Sequence, residues 1–372
     1  MKKKIEIIYK ILAVAALLYL FLVSISLMGA AFKGFGKGFA ENLIRITSNP
    51  FIGLFIGILA TSLVQSSSTT TSVVVGIVGA GGLTVGNAIP IIIGANIGTT
   101  VTNTLVSLGH VSRRDEFRRA ISAATVHDFF NLICVSILFP IELATGYLEK
   151  TATYMSTIFS GVGGIKFVSP IKLAVTPAVG LIQKVVIMLS GSKLAAYIIM
   201  AVLSLVILFF ALYFIVKVMK SLVVNRAEIV LDNVIRKSPI LGLFAGLAFT
   251  IVVQSSSITT SLLIPLVAAG ILTVEAAFPI TIGANIGTTT TAILASFATG
   301  NVSAITIAFA HFLFNLTGTV CIYPIRLFRM VPISLAKAFG NLAATKRRYA
   351  FIYVLGVFFI IPTLLIIISK LF

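Results

Sequence analysis

Apolar residues run through this chain in long stretches separated by short polar interruptions. Residues 11–32, 195–216 and 349–368 are each long enough to cross about 30 Å of hydrocarbon as a helix of about 20 residues. Other apolar stretches are shorter and stop at a polar cluster. Residues 51–64 supply about 14 positions before Gln65, too few to span a bilayer, which predicts a segment that enters the membrane and turns back. Residues 65–72 are the expected turn and return, and Gly79, Gly81 and Gly82 break the pattern after them. The stretch 85–108 runs on through Pro90 and a glycine-flanked polar motif, which predicts an interrupted helix.

This plan occurs twice. Residues 50–102 and 239–291 align without a gap, and roughly 32 of about 53 positions are identical. Gln65-Ser66-Ser67-Ser68 matches Gln254-Ser255-Ser256-Ser257, and Gly94-Ala95-Asn96-Ile97-Gly98-Thr99-Thr100 matches Gly283-Ala284-Asn285-Ile286-Gly287-Thr288-Thr289. Duplicated polar clusters at membrane depth are the pattern of a transporter built from two halves. The expected fold is an all-α polytopic membrane protein with two inverted-topology repeats. Each repeat has a re-entrant helical hairpin and an interrupted helix, and one extra transmembrane helix follows at the C-terminus. The expected organisation is a first repeat over 1–150, an extracellular connector over 151–192, a second repeat over 193–335, and a basic loop with the final helix over 336–372. Within the first repeat we expect a helix at 7–32, the hairpin at about 50–82, the broken helix at about 85–108 and a closing helix at 116–147.

Charge decides the orientation. The stretch Arg113-Arg114-Asp115-Glu116-Phe117-Arg118-Arg119 is the most charged of the first half, and its counterpart Gly300-Asn301-Val302-Ser303 has no charge. Parallel halves would put both loops on one side with the same basic bias, so the contrast predicts inversion, with residues 113–119 in the cytoplasm. The N-terminus is then cytoplasmic and the C-terminus outside, in a multi-pass protein of the cell membrane. Met1-Lys2-Lys3-Lys4 resembles the start of a signal peptide, but the apolar run after it exceeds the usual 7–15 residues and has a counterpart at 195–216, so it reads as a retained helix. Only 10% of residues are charged and 58% are hydrophobic, whereas soluble domains carry about 25% charged residues. The net charge of +18 is scattered between apolar runs, which excludes a nucleic-acid-binding domain and fits contact with the lipid bilayer. Neither Cys134 nor Cys321 has a spacing that points to metal or a disulfide.

The duplicated motifs carry the chemistry. A dehydrated oxyanion needs hydrogen-bond donors, which serine and threonine hydroxyls and a helix N-terminus supply. Sodium needs neutral oxygens, which the asparagine, glutamine and threonine side chains supply. Against this, membrane hydroxyls often bond to their own i−4 carbonyl, and Gly94-x-x-x-Gly98 and Gly283-x-x-x-Gly287 fit a plain packing motif. Apolar neighbours have drifted between the copies while the four-residue polar cluster has not, which favours a binding site. His127 and Asp128 form an ionisable pair within an apolar run, a functional candidate or a structural one.

These residues resemble the type II sodium–phosphate cotransporters. The resemblance rests on the two Gln-Ser-Ser-Ser motifs, on the 94–100 and 283–291 segments, on Thr102-Asn103-Thr104, on Glu116-Phe117-Arg118-Arg119 and on Ala124-Thr125-Val126-His127-Asp128. It implies sodium-coupled symport of inorganic phosphate between the two turns by alternating access, with no enzymatic activity and no organic cofactor. Phosphate contact is carried over to Ser66, Ser67, Ser68, Ser255, Ser256 and Ser257. Sodium contact is carried over to Gln65, Gln254, Asn96, Thr104, Asn131, Asn285, Thr288 and Thr291. A homo-oligomer is compatible with this reading. Three positions depart from the family pattern. His110 and Arg113 stand where vertebrate relatives carry a glutamine and an aspartate, and Ala284 stands where they carry a serine. An arginine cannot replace a carboxylate as a cation ligand, so one sodium site is expected to be absent or displaced. Symport of another oxyanion such as sulfate or arsenate, an anion channel, and an intramembrane hydrolase using serine with His127 and Asp128 are the alternatives.

Overall fold

In a computed structural model the chain is described over residues 2–161, 170–235 and 238–369, and helix accounts for nearly all of it. Met1, the centre of the expected connector (162–169), residues 236–237 and the C-terminal residues 370–372 lie outside the described residues. The first half comprises α1 (Lys2–Gly34), the short α2 (Lys37–Ile46), α3 (Pro50–Val64), α4 (Ser67–Gly79), α5 (Val85–Gly98), α6 (Val101–Ser107) and α7 (Arg114–Thr145). Then come α8 (Tyr147–Gly161) and α9 (Pro170–Leu189). The second half comprises α10 (Lys193–Ile235), α11 (Pro239–Val253), α12 (Ser256–Ala268), α13 (Val274–Thr299) and α14 (Val302–Ile322). The chain ends with α15 (Arg326–Thr345), α16 (Arg348–Leu355), a π turn at Gly356–Ile360, and α17 (Ile361–Ile368). Among the described residues, seven helices are long and apolar enough to cross a membrane, or eight if α2 and α3, bent by 96°, count as one span.

The repeated sequence reproduces the same local devices. Asn49 caps α3 through a 3.0 Å bond from Phe51 N–H with Pro50 at the first turn, and Ser238 with Pro239 caps α11 in the same way. Both helices then end on a glutamine with left-handed backbone, at φ 55° for Gln65 and 59° for Gln254. The small residues explain how α3 lies on α5 and α11 on α13. A Cβ on Gly94 would sit 2.0 Å from the Leu54 carbonyl oxygen, and one on Gly283 would sit 1.9 Å from that of Leu243. The glycine motifs are therefore close-packing surfaces, as the plainer reading had it.

The halves interlock. Helix α4 packs on α13 and α14, and its counterpart α12 packs on α6 and α7. Two hydrogen bonds mark the outer ends of α4 and α12. Asn301, at the start of α14, donates to the Gly79 carbonyl at 3.0 Å, and Arg119, at the start of α7, donates through Nε to the Ala268 carbonyl at 2.7 Å.

Three expectations need correction. The interrupted helix exists in the first half only: α5 and α6 separate at Thr99–Thr100, whereas α13 runs unbroken over 26 residues. At the break the Thr100 N–H reaches back only three residues, to Ile97, at 3.5 Å, and Thr100 faces Asp128, whose counterpart in the second half is Phe312. The described parts of the connector on either side of residues 162–169 are mostly helical, and α9 is itself long and apolar enough to cross a membrane. The basic stretch after α14 is a helix, α15, that lies along α7 through Pro332, Ile333, Ala336 and Gly340.

Candidate functional site

The Gln-Ser-Ser-Ser motifs fold as helix starts. Ser66 and Ser255 are the N-caps of α4 and α12, their Oγ atoms accepting from Thr69 N–H at 3.2 Å and Ile258 N–H at 3.4 Å. The N–H groups of Ser67, Ser68, Ser256 and Ser257 occupy the first turns, where no helical carbonyl precedes them. A cap oxygen that accepts a bond still has its own O–H to give.

Both helix starts open on one cavity of about 290 Å³. Its lining takes in all six serines, Gln65, Gln254, Thr69, Thr102 and Ile258, with Phe209, Leu212, Tyr213 and Val216 of α10 as an apolar wall. Among the described residues, no charged side chain lines it. An anion there would meet hydroxyls, N–H groups and the positive ends of two helices, without an ion pair to release on departure.

The residues singled out as cation ligands separate into three groups. Gln254 and Thr291 belong to the cavity region: Thr291 Oγ1 donates to Gln254 Oε1 at 2.9 Å and lies 3.5 Å from Ser68 Oγ. Gln65 is exposed, whereas Gln254 is buried. Asn96, Asn131 and Asn285 instead form a buried amide network with Asn315 and His311. Asn131 Nδ2 donates to the Asn96 carbonyl at 2.9 Å, and Asn315 Nδ2 repeats this with the Asn285 carbonyl at 3.1 Å. Asn285 Nδ2 joins the halves, donating to Asn131 Oδ1 at 3.0 Å and Asn315 Oδ1 at 3.1 Å, and His311 Nε2 lies 3.3 Å from Asn96 Oδ1. Thr104 and Thr288 are buried and donate back to their own helices, to Thr100 O at 3.4 Å and Ala284 O at 3.1 Å.

Sequence reasoning missed three contributors. Thr102 lines the cavity with a buried hydroxyl that has no partner among the described residues, and it stands one repeat-length before Thr291. Asn103 Oδ1 accepts from Thr260 at 2.9 Å and Ser261 at 3.2 Å, tying α6 to α12 of the other half. Tyr213 is a third, with no polar duplication to flag it. The departures at His110 and Arg113 lie outside the cavity, where both side chains face Glu116, at 3.4 and 2.7 Å. Asp128 accepts from Tyr353 Oη at 3.0 Å, leaving its second carboxyl oxygen buried without a partner among the described residues.

Comparison with known proteins comes to the same place. The human sodium-dependent phosphate transport protein 2B is 35% identical over 95% of this chain and 64% of its own length. The rat sodium-dependent phosphate transport protein 2A is 37% identical over 95% of this chain and 66% of its own length. The chain thus spans about two thirds of the length of these curated relatives, which are transport proteins. No solved structure matches it. The family described as Na+/Pi-cotransporter matches over residues 20–169 and 207–323, well over half of the sequence, and the chain belongs to that family.

Proposed function

We propose that this protein is a sodium-coupled symporter of inorganic phosphate. Phosphate, as the doubly charged HPO4 ion, binds in the cavity between Ser66, Ser67, Ser68 and Ser255, Ser256, Ser257. The observation that carries this reading is that both duplicated helix starts open on one cavity whose lining is rich in neutral donors and, among the described residues, free of charged side chains. Such a site favours a dehydrated anion and still lets it go. Sodium binds first and offsets part of the phosphate charge. Thr291 brings its hydroxyl oxygen to 3.5 Å from Ser68 Oγ, and Gln254 Oε1 lies 2.9 Å from that hydroxyl, so one cation and the anion would be neighbours. The amide network of Asn96, Asn131 and Asn285 offers a second set of neutral oxygens, with Gln65, Thr104 and Thr288 as further oxygen donors.

Transport follows if α3–α4 and α11–α12 are re-entrant hairpins of two inverted repeats that alternate access to the cavity. Two contacts support inversion. Gly79, just before α5, bonds Asn301, just after α13, and Arg119, after α6, bonds Ala268, before α13. Equivalent helices thus run in opposite directions. The two bonds are separated by the length of α13, about 39 Å at 1.5 Å per residue, which is enough to cross a bilayer.

The test is radiolabelled phosphate flux into proteoliposomes with and without an inward sodium gradient. Saturable uptake that requires the gradient is expected. Non-saturable flux indifferent to sodium would replace the symporter with a channel, and equal competition by sulfate would reassign the oxyanion.

A further inference from the structure

A second cleft, of about 410 Å³, lies where α7, α15 and the start of α13 meet. Arg118 and Arg119 of α7 and Lys337 of α15 line it, together with Ser122, Thr273 and Glu275. Three cations therefore face one carboxylate, and Glu275 is already paired with Lys337. Arg118 is held only loosely, 3.7 Å from the exposed Asp115. Arg119 is fixed in place: its Nε donates to the Ala268 carbonyl at 2.7 Å, closing the end of α12. Its two terminal nitrogens have no protein partner among the described residues.

The molecule contains its own control for what Arg119 needs to be. At the matching place in the other half, Asn301 performs the same closure on Gly79, at 3.0 Å, with an uncharged amide. The positive charge of Arg119 and its remaining N–H groups exceed what the capping role demands. A guanidinium that lines a cleft and is anchored at Nε, with its other nitrogens unpartnered among the described residues, is suited to the oxygens of a phosphate group. The first turn of α13 adds a helix N-terminus at the same cleft.

We propose that this cleft is a binding site for a phosphate group, separate from the serine-lined cavity, with Arg118, Arg119 and Lys337 as its recognising cations. The group is presented either by an anionic phospholipid or by the free ion. The surroundings favour the lipid. Lys337 projects from α15, whose Leu327, Phe328, Val331, Leu335 and Leu342 are exposed apolar residues. These residues lie on another face of α15 from Lys337, but Ile271, between the cleft-lining Gly270 and Leu272, is an exposed apolar residue at the cleft itself, where an acyl chain can lie while the headgroup enters.

The test uses the full chain in detergent without sodium, so its result is independent of transport. Retention of phosphatidylglycerol and of phosphatidylcholine is measured by native mass spectrometry, and protection by inorganic phosphate by thermal unfolding. The variant is Arg118→Gln with Arg119→Gln, in which an amide can still reach Ala268; Arg118→Gln alone, at an exposed position, serves if the double variant does not fold. Wild-type protein is expected to retain phosphatidylglycerol over phosphatidylcholine. The variant is expected to lose that retention by about tenfold, as for charged hydrogen bonds removed, and Ser67→Ala with Ser256→Ala to keep it. Protection by inorganic phosphate that vanishes in the arginine variant and survives in the serine variant would support the site and assign it to the free ion. Equal retention of both lipids together with no arginine-dependent effect of phosphate would overturn the proposal, leaving the cations as topological signals only.

Discussion

The helix pairs α3–α4 and α11–α12 share a sequence motif and differ in their surroundings. Gln65 and Gln254 end equivalent helices with nearly the same left-handed backbone, yet Gln65 is exposed and makes no side-chain bond among the described residues, while Gln254 is buried and holds Thr291. The helix that follows is broken in the first half and continuous in the second. The cavity has an α10 wall with no counterpart from α1. Motif identity therefore sets the backbone and the donors, and the neighbouring elements set how open each copy is. If the halves are inverted repeats that alternate access, as proposed, two equivalent elements held in unequal environments are what the mechanism calls for, since the two access states would exchange the roles of the halves.

The first way to break this comparison is through what the halves share. Gly94→Ala and Gly283→Ala each press a Cβ against a backbone carbonyl, at 2.0 and 1.9 Å, and backbone on both sides has nowhere to go. We expect each to cost about 3 kcal/mol or more, seen as a large drop in thermal unfolding temperature of the purified protein. If one half tolerates the methyl and the other does not, the two helix pairs are not equivalent packing units. A somewhat smaller effect is expected on uptake. Ser67 and Ser256 are buried at 4% and 3% exposure, so Ser67→Ala or Ser256→Ala should remove a donor to a charged ligand at about 1.5–3 kcal/mol, or roughly 10- to 150-fold in apparent phosphate affinity. Similar losses from both would fit one anion shared between the halves; normal uptake by both would remove the shared-site idea.

Much of this was legible in the sequence because the signals are local. The stop at Gln65, the turn and return that follow it and the small-residue motif all depend on neighbours within a few residues. Duplication then separated polar residues kept for a site from apolar ones free to drift. What local pattern does not encode is which helix covers which. The crossing of α4 onto α13 and α12 onto α7, the wall of Phe209 and Tyr213, and the burial of one glutamine but not the other arise from packing between segments over a hundred residues apart. The connector misled for a related reason: lysines and prolines scattered through α9 dilute its apolar signal, though the helix still has the length and composition to span. Thr102 was within reach, since it aligns with Thr291, but Thr104 was chosen from the motif it sits in, and that hydroxyl bonds to its own helix.

The finest test turns on the sign of a small effect at the two glutamines. They are the only non-glycine residues with positive φ among those described, in a conformation that costs an ordinary side chain about 1–2 kcal/mol. Glycine would relieve that strain, at an entropic cost of about 0.5–1 kcal/mol in the unfolded chain. At Gln65, where no side-chain bond is lost, Gln65→Gly should be stabilising by about 0.5 kcal/mol. At Gln254 the same change leaves the buried Thr291 hydroxyl without its acceptor, a loss of about 1 kcal/mol or more, so Gln254→Gly should be neutral to destabilising. Thermal unfolding of the two variants side by side reads the difference directly. Equal shifts would mean that the buried bond contributes nothing and that the two helix pairs are energetically alike. Opposite shifts, with phosphate uptake reduced in both, would show that the glutamine side chain is kept at each turn against the preference of its own backbone, which is the mark of a ligand-facing position rather than a folding one.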